Sequence, residues 1–533
     1  MTILVVASLS LLLWQVLAPG GWTFAKGLML LGFAGAAPWL GLCGANGVCG
    51  VLVGSPNPPV KEPRGALPAI ALAVAVRNED PVKVLGSLHR LVAELDRAGV
   101  GEAFTPWVLS DTTDLAMARA EEEAVAAFPM PGRLRYRRRG DNRGYKAGNV
   151  MEFLDHHAGE TELLVLLDAD SEMTAPAVLR LVRTLQAEPH LAIVQHLTVG
   201  LPTMAGFARL FQFGMRAGMR SWARAAAWWQ GDEASYWGHN AAIRIAPFRA
   251  HARLAPLPDG SMILSHDQVE AAQLAGAGWG VRLLAEEDGS FEANPPALPE
   301  FLRREQRWLA GNFQYWPLLL RPRLRPMGRW QLVQAILLFS SAPFYPLFLA
   351  GAALAAATDP VSPFPAGPAL AMTLGWLGAL YAPKWLSHAE LLISPAQRER
   401  YGGTKRLLAG IAAETAFTLL MDPVATMAKA IAIVRLVLGR KAGWVPQNRH
   451  ARGVPWGEAC RLLWPQTVVG VVALGAFASA GLQAVIWAAP LAGGLLLAIP
   501  FCVLTAHPAL GRMLACRGIA ASPEEVSRGA RPI

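Results

Sequence analysis

The chain has 533 residues, of which 53% are apolar and only 16% charged, against about 25% charged in a soluble globular domain. The charge is unevenly spread: residues 1–60 hold a single charged side chain, Lys26, whereas 61–190 are as charged as a soluble enzyme. A wholly soluble protein, a disordered chain and a small disulfide scaffold are thereby excluded, and a soluble domain set between membrane segments remains.

The surplus of 48 Lys+Arg over 39 Asp+Glu gives a net charge of +9. We read it as the positive-inside bias of a membrane protein rather than a nucleic-acid surface. The five cysteines form no CxxC and no zinc spacing, so they read as small hydrophobes or idle thiols.

A helix needs ~20 apolar residues to cross the hydrocarbon. Residues 2–18 and 22–53 flank a Pro19-Gly20-Gly21 break, which predicts a transmembrane hairpin over 1–61. Lys61 and Arg64 place both its ends in the cytoplasm, and Lys26 would snorkel near the outer face. No basic stretch precedes the apolar run, so an uncleaved anchor is expected rather than a signal peptide.

Residues 62–326 read as an inserted cytoplasmic α/β domain. A continuous apolar run, 69–76, predicts a strand buried on both faces. A turn at Arg77-Asn78-Glu79-Asp80-Pro81 leads into a helix over 82–97. The pattern recurs as a strand at 106–110, Asp111 and a helix at 114–127. It recurs again as a strand at 163–167, Asp168-Ala169-Asp170, a helix at 175–187 and a strand at 191–195. Alternation of this kind predicts a parallel sheet, whose ligands bind beyond the carboxyl ends of the strands. Asn78, Glu79, Asp111, Asp168 and Asp170 all fall there. Gly99-Val100-Gly101 lacks the third glycine of a dinucleotide fingerprint, and no P-loop is present.

Asp168 and Asp170 at a strand end suit Mg2+ or Mn2+ bound with a diphosphate; the alternative is a simple helix cap. Ser265-His266-Asp267 precedes a helical stretch at 268–275. Asp267 suits a general base, or only a carboxylate favoured by the helix dipole. In Arg304-Glu305-Gln306-Arg307-Trp308, guanidinium forks suit a departing phosphate and an indole suits a sugar face, although the segment alone is an ordinary amphipathic helix. Residues 135–139 (Arg-Tyr-Arg-Arg-Arg) form a solvated or membrane-facing charge run, since aromatic platforms for nucleic acid are not interleaved. Within Gly144-Tyr145-Lys146-Ala147-Gly148-Asn149, Lys146 is placed to meet a phosphate.

Apolar runs return at 330–356 and 366–386. A further run, 407–438, is broken at Asp422-Pro423 and reads either as a helical hairpin or as an interfacial helix plus one span. Runs at 467–490 and 491–504 follow. The expected total is six to eight spans with both termini inside. Residues 327–510 then form a membrane and channel region with a gating-type loop at 439–465, and 511–533 a basic tail carrying Arg512, Arg517, Arg528 and Arg531. No repeat of paired transporter halves is visible.

In order, Asp111, Asp168/Asp170, Asp267 and Arg304–Trp308 resemble the pattern of the family-2 processive glycosyltransferases, the group of cellulose and hyaluronan synthases. Arg304 stands where that pattern has glutamine. With Trp237-Gly238-His239-Asn240-Ala241, Leu254-Ala255-Pro256-Leu257-Pro258, Ile263-Leu264-Ser265-His266-Asp267, Ala277-Gly278-Trp279-Gly280-Val281 and Pro455-Trp456-Gly457-Glu458-Ala459, the chain resembles the glucans biosynthesis glucosyltransferase H family over most of its length. The resemblance implies a polytopic helical membrane protein of the bacterial inner membrane with a GT-A-like catalytic domain. Its substrate would be UDP-glucose, its cofactor Mg2+ or Mn2+, and its product a β-linked glucan with β-1,2 linkages in the backbone, released into the periplasm.

The same resemblance places Asp111 on the uridine, Asp168 and Asp170 on the metal and diphosphate, and Asp267 as base. Arg307 would stabilise leaving UDP, and Trp308 would platform the acceptor, with His239 and Asn240 beside it. Lys146, Asn149, Arg304 and Arg449 would assist the nucleotide, Arg449 from a lid at 443–449. The growing glucan and membrane lipids would be partners. A periplasmic glucan-processing protein and an acyl carrier protein are implied by the resemblance alone, and nucleic acid is not. Two other readings stay open: a synthase of the same fold making another polysaccharide or a glycolipid, and a nucleotide-binding membrane transporter.

Overall fold

The computed structural model describes residues 1–54, 65–358, 364–440, 448 and 450–527. Lys61, Arg64, Arg449, Arg528 and Arg531, and the proposed lid apart from Asn448, lie outside the described residues.

Ten strands occur among the described residues: β1 (Ile70–Val76), β2 (Phe104–Ser110), β3 (Arg135–Arg138), β4 (Leu163–Asp168), β5 (Glu172–Met173), β6 (Leu191–His196), β7 (Val199–Gly200), β8 (Ala241–Arg244), β9 (Gly280–Leu284) and β10 (Ser290–Glu292). The main sheet has the order β3-β2-β1-β4-β8-β6-β9, and β5-β10-β7 form a small second sheet. β1 pairs in parallel with both β2 and β4, which is why its sequence IALAVAV is apolar throughout. Its Ile70, Leu72, Val74 and Val76 pack on one face with Leu88, Val92 and Leu181. Ala71 and Ala73 pack on the other with Leu109, Phe153 and Ile243. Each fully buried leucine or isoleucine of these layers contributes about 1.5–3 kcal/mol.

Two expectations are corrected here. The sheet is parallel except at β8, which runs antiparallel to β4 and β6. The chain has returned to the carboxyl edge by way of helices Gly206–Gly218 and Arg220–Gln230, so it enters the sheet from the opposite end. This places the Gly238-His239-Asn240 turn at the ligand edge. The charge run 135–139 is mostly an edge strand, β3, held by pairing with β2 and by Arg135 over the Trp107 ring at 5.3 Å.

Four helices among the described residues are long and apolar enough to cross a membrane: Phe24–Val53, Pro326–Thr358, Thr404–Val437 and Trp456–Ser479. The pair Leu482–Leu496 and Ala498–Ala506, bent by 58°, makes a fifth if taken as one span. This is below the six to eight expected. Thr2–Leu17 is only 16 residues long, and Ala366–Ile393 carries Lys384, His388 and Glu390 in its second half. Asp422-Pro423 interrupts nothing: Thr404–Val437 is one helix with Pro423 inside it. Lys26 is buried, and its ammonium donates to Gly21 O at 2.7 Å, capping the turn after the first helix. All five cysteines are free.

Candidate active site

β2 and β4 end side by side with β1, so Asp111 and Asp168 project from one sheet edge. Asp111, Tyr145, Lys146, Asn149, Asp168, Ser265, His266, Arg307 and Trp308 line one cleft of about 330 Å³. Residues from five separate stretches of chain thus converge.

Asp111 is buried and held at both carboxylate oxygens by Arg139, at 2.6 Å from Nε and 2.6 Å from Nη2. Burial alone would lower the Arg139 pKa, but the hydrogen bonds and charge of Asp111 more than offset it, and the guanidinium is raised. Ser110 and Thr112, on either side of Asp111, both donate their hydroxyls to the buried Glu121, Ser110 at 2.6 Å. Asn78 completes this corner from the β1 loop in a left-handed conformation, φ +54°, accepting from Thr113 N and Asp114 N at 3.1 Å.

Lys146, in the first turn of helix Tyr145–His156, ion-pairs with Asp168 and donates to Gly238 O at 2.6 Å. Gly238 has φ +87°, and a Cβ there would stand 3.4 Å from the Asp267 carboxyl carbon. Asp168, Lys146, the Gly238 turn and Asp267 therefore form a continuous series. The Tyr236 phenol is buried nearby; burial first, and then the charges of Glu270, Asp267 and Asp168, raise its pKa well above the ordinary range. Ser265 is fixed by Tyr315, whose hydroxyl donates to its carbonyl at 2.7 Å. His266 pairs with the buried Glu270 at 3.0 Å.

Helix Leu298–Phe313 presents Arg304 and Trp308 one turn apart on one face. The Arg304 guanidinium lies 4.5 Å from the Trp308 ring centroid, 5.4 Å from Phe211 and 5.5 Å from Phe301. Burial lowers its pKa against the neighbouring charges of Glu305, Glu292 and Asp170. Trp308, 46% exposed, thus has one face on a cation while it borders the cleft.

Several anticipated residues sit differently. Asn149 is buried, donating to Leu109 O at 3.1 Å and accepting from Arg137 at 2.8 Å, so its amide ties the helix to β2 and β3. Asn240 is 0% exposed, with φ +49°, and its amide donates to Ser290 Oγ at 2.9 Å. Asn240 therefore shapes the turn from within, whereas Asn149, although buried, still contributes to the cleft wall. His239 approaches Glu292 at 3.6 Å. Asp170, Asp267, Arg304 and His239 border the cleft's surroundings without lining it.

Glu292, Glu121, Tyr236 and Arg139 had no sequence signal, because each gains its partners only through long-range packing. Burial raises the Glu292 pKa; His239 and Arg304 oppose the rise, and Asp170 and Asp168 add to it. That carboxylate therefore belongs to the Asp168–Asp170 neighbourhood. Among the described residues no three His, Cys, Asp or Glu side chains are grouped to hold an ion by themselves. Two carboxylates on one strand end fit a hard cation that takes its other ligands from a diphosphate and water.

A family model described as "Glycosyl transferase family group 2" matches residues 163–382, from the strand bearing Asp168 into the helix at 366–393. The "Glucans biosynthesis glucosyltransferase H" of Rhodopseudomonas palustris (strain TIE-1) is 33% identical over 543 aligned residues, covering 96% of this chain and 75% of its own. That of Xylella fastidiosa (strain 9a5c) is 32% identical, covering 96% and 86%. Among solved structures, a mannosyltransferase from Pyrobaculum calidifontis in complex with GDP-Man and Mn2+ overlaps 78% of this chain and 100% of its own, at 17% identity and a TM-score of 0.47. At 33% identity over 96% of this chain and 75% of the Rhodopseudomonas palustris relative, the chain belongs to the glucans biosynthesis glucosyltransferase H family.

Proposed function

We propose that the protein is an inverting glucosyltransferase that polymerises glucose from UDP-glucose into a β-linked glucan with a β-1,2 backbone. It works in the bacterial inner membrane with the α/β domain in the cytoplasm, and its apolar helices pass the product to the periplasm. The observation that carries this reading is the meeting of Asp111, Lys146, Asp168, Arg307 and Trp308 on one cleft, with Asp267 across the Gly238 turn.

Asp111 meets the uracil, and Trp308 offers its open face to the acceptor sugar. Asp267 accepts the proton of the acceptor hydroxyl as that oxygen attacks the anomeric carbon and the bond to UDP breaks. Arg307 and Lys146 meet the charge that develops on the departing diphosphate. Inversion follows, because one displacement occurs without an enzyme nucleophile. Asp168 and Asp170 would hold Mg2+ or Mn2+, which would neutralise the diphosphate when bound. Arg449 would close over the nucleotide from its loop. Arg452, three residues on, fastens the end of that loop to Glu300 of the Trp308 helix at 2.8 Å and to Glu458 at 2.6 Å.

The test is incorporation of radiolabelled UDP-glucose by the purified chain in nanodiscs, followed by linkage analysis. Asp267→Asn should cut transfer by about 10²–10⁴-fold while UDP binding stays within about twofold. Elongation at the wild-type rate by this variant would remove Asp267 as base. A wild type that transfers from no nucleotide sugar would sink the whole reading.

A further inference from the structure

Arg139 uses its whole fork. Nε and Nη2 hold the two oxygens of Asp111 at 2.6 Å each. Nη1 donates to Arg143 O at 3.1 Å, and Nη2 also donates to Tyr145 O at 3.0 Å. Those two carbonyls bracket the turn into the helix whose first residues, Tyr145 and Lys146, line the cleft with Asp111. One buried, planar group thereby fixes the end of β2 relative to the turn that delivers Lys146. Packing enforces the same arrangement, since a Cβ on Gly148 would lie 2.1 Å from Arg143 O and 3.3 Å from Arg139 Nη1. Glu152 adds a weaker charge at 3.6 Å.

The geometry points to Arg139 as a positioning and specificity residue: it holds the Asp111 carboxylate in the one orientation that accepts the imide N–H of a pyrimidine base, and in register with Lys146 for the diphosphate. This rests on the UDP-sugar reading above. Arg139 itself lies behind the cleft wall and touches no substrate. A carboxylate held at two points cannot rotate to offer other lone pairs, so a base whose N–H is blocked finds no alternative partner. Lysine cannot replace this group, because a single ammonium cannot hold two carboxylate oxygens and two carbonyls in one plane.

The test is calorimetric binding of UDP and of N3-methyl-UDP to the full chain in nanodiscs, for wild type, Arg139→Met and Arg139→Lys. Wild type should bind N3-methyl-UDP about tenfold more weakly than UDP, the size of one lost hydrogen bond to a charged group. Arg139→Met should weaken UDP about tenfold and bring the ratio between the two nucleotides below about twofold. Arg139→Lys should fall between, and it carries the test if the methionine variant does not fold. A variant that melts earlier yet keeps the wild-type ratio shows a merely structural arginine and overturns the proposal. A wild type that binds UDP tightly without discriminating N3-methyl-UDP overturns it too. A wild type that binds no UDP overturns the donor reading and this inference with it.

Discussion

His266 stands beside Asp267 and is buried against Glu270, an arrangement that makes the Asp267 turn sensitive to protonation. Burial by itself disfavours the imidazolium; the charges of Glu270 and Asp267 outweigh both that and the opposing Lys146, so the pKa is raised above 6.5. The stability this pair supplies is therefore fully present below about pH 6.5 and is lost as pH rises through the raised folded value. His266→Gln should lower the melting midpoint of the purified protein more at pH 6 than at pH 8.5. An equal loss at both would show that the imidazole packs without charge. His266 was legible only as a neighbour of Asp267, since its partner Glu270 reads in sequence as an ordinary helical glutamate. The three acids Asp111, Asp168 and Asp267 were legible because strand ends and helix starts announce themselves by period and composition. The atoms that hold them were not: Arg139 was hidden inside a run of arginines, and Glu121 looked like a solvated helix charge.

Helix Gly206–Gly218 links the catalytic layer to the membrane helices, and its arginines decide how it sits. Arg209 and Arg216 are two turns apart on one face, and both are buried. Phe207 and Phe211 of the same helix pack on Phe301, and Phe211 also lies under Arg304. Two counter-charges come from the far end of the chain and a third from the sheet domain: Glu525 accepts from Arg209 at 2.6 Å, while Arg216 donates to Glu524 at 2.5 and 2.9 Å and to Glu287 at 2.9 Å. The sequence showed a basic tail; the described part of it acts through its acids. A local capping box is readable, with Ser522 N donating to Glu525 at 2.8 Å. The pairing across 308 residues is not. Removing Glu524 leaves Arg216 with Glu287 as its remaining carboxylate partner among these contacts, so Glu524→Ala should cost less in denaturant unfolding than the about 3 kcal/mol of a fully orphaned buried charge. Joint replacement as Arg216→Met with Glu524→Leu should cost less than the single change. If the double variant is the weaker protein, the clamp stabilises by attraction and not by avoiding an orphaned charge.

At the scale of the whole molecule, a seam on the amino-terminal side sets the relation between the α/β domain and the long apolar helices. The long helix Phe24–Val53 lies along helix Arg220–Gln230, with Trp39 against Trp222 at 5.7 Å and Trp229 Nε1 donating to Asn46 at 3.1 Å. Ser221 sits at the crossing. Its hydroxyl donates to Pro383 O and its amide to Ser387, both at 3.0 Å, so three helices meet at one residue. Gly50 makes the approach possible: a Cβ there would stand 1.7 Å from Ser221 O, a backbone atom that cannot step aside. Helix Arg220–Gln230 lies by sequence within the stretch 62–326 and yet packs on the long apolar helices, a contact that no local pattern in the sequence marks. Gly50→Val must therefore separate the two bodies, at an overpacking cost of about 1–3 kcal/mol. The cleft is lined from β1, β2, β4, helix Tyr145–His156, Ser265-His266 and helix Leu298–Phe313, whereas the nearest atoms to a Cβ at Gly50 all belong to Ser221. UDP affinity should thus stay within about twofold, while glucan formation in nanodiscs falls by about tenfold or more, as misplacement of parts remote from the chemistry can cause. Full polymer synthesis by Gly50→Val would mean that the catalytic domain works without this contact.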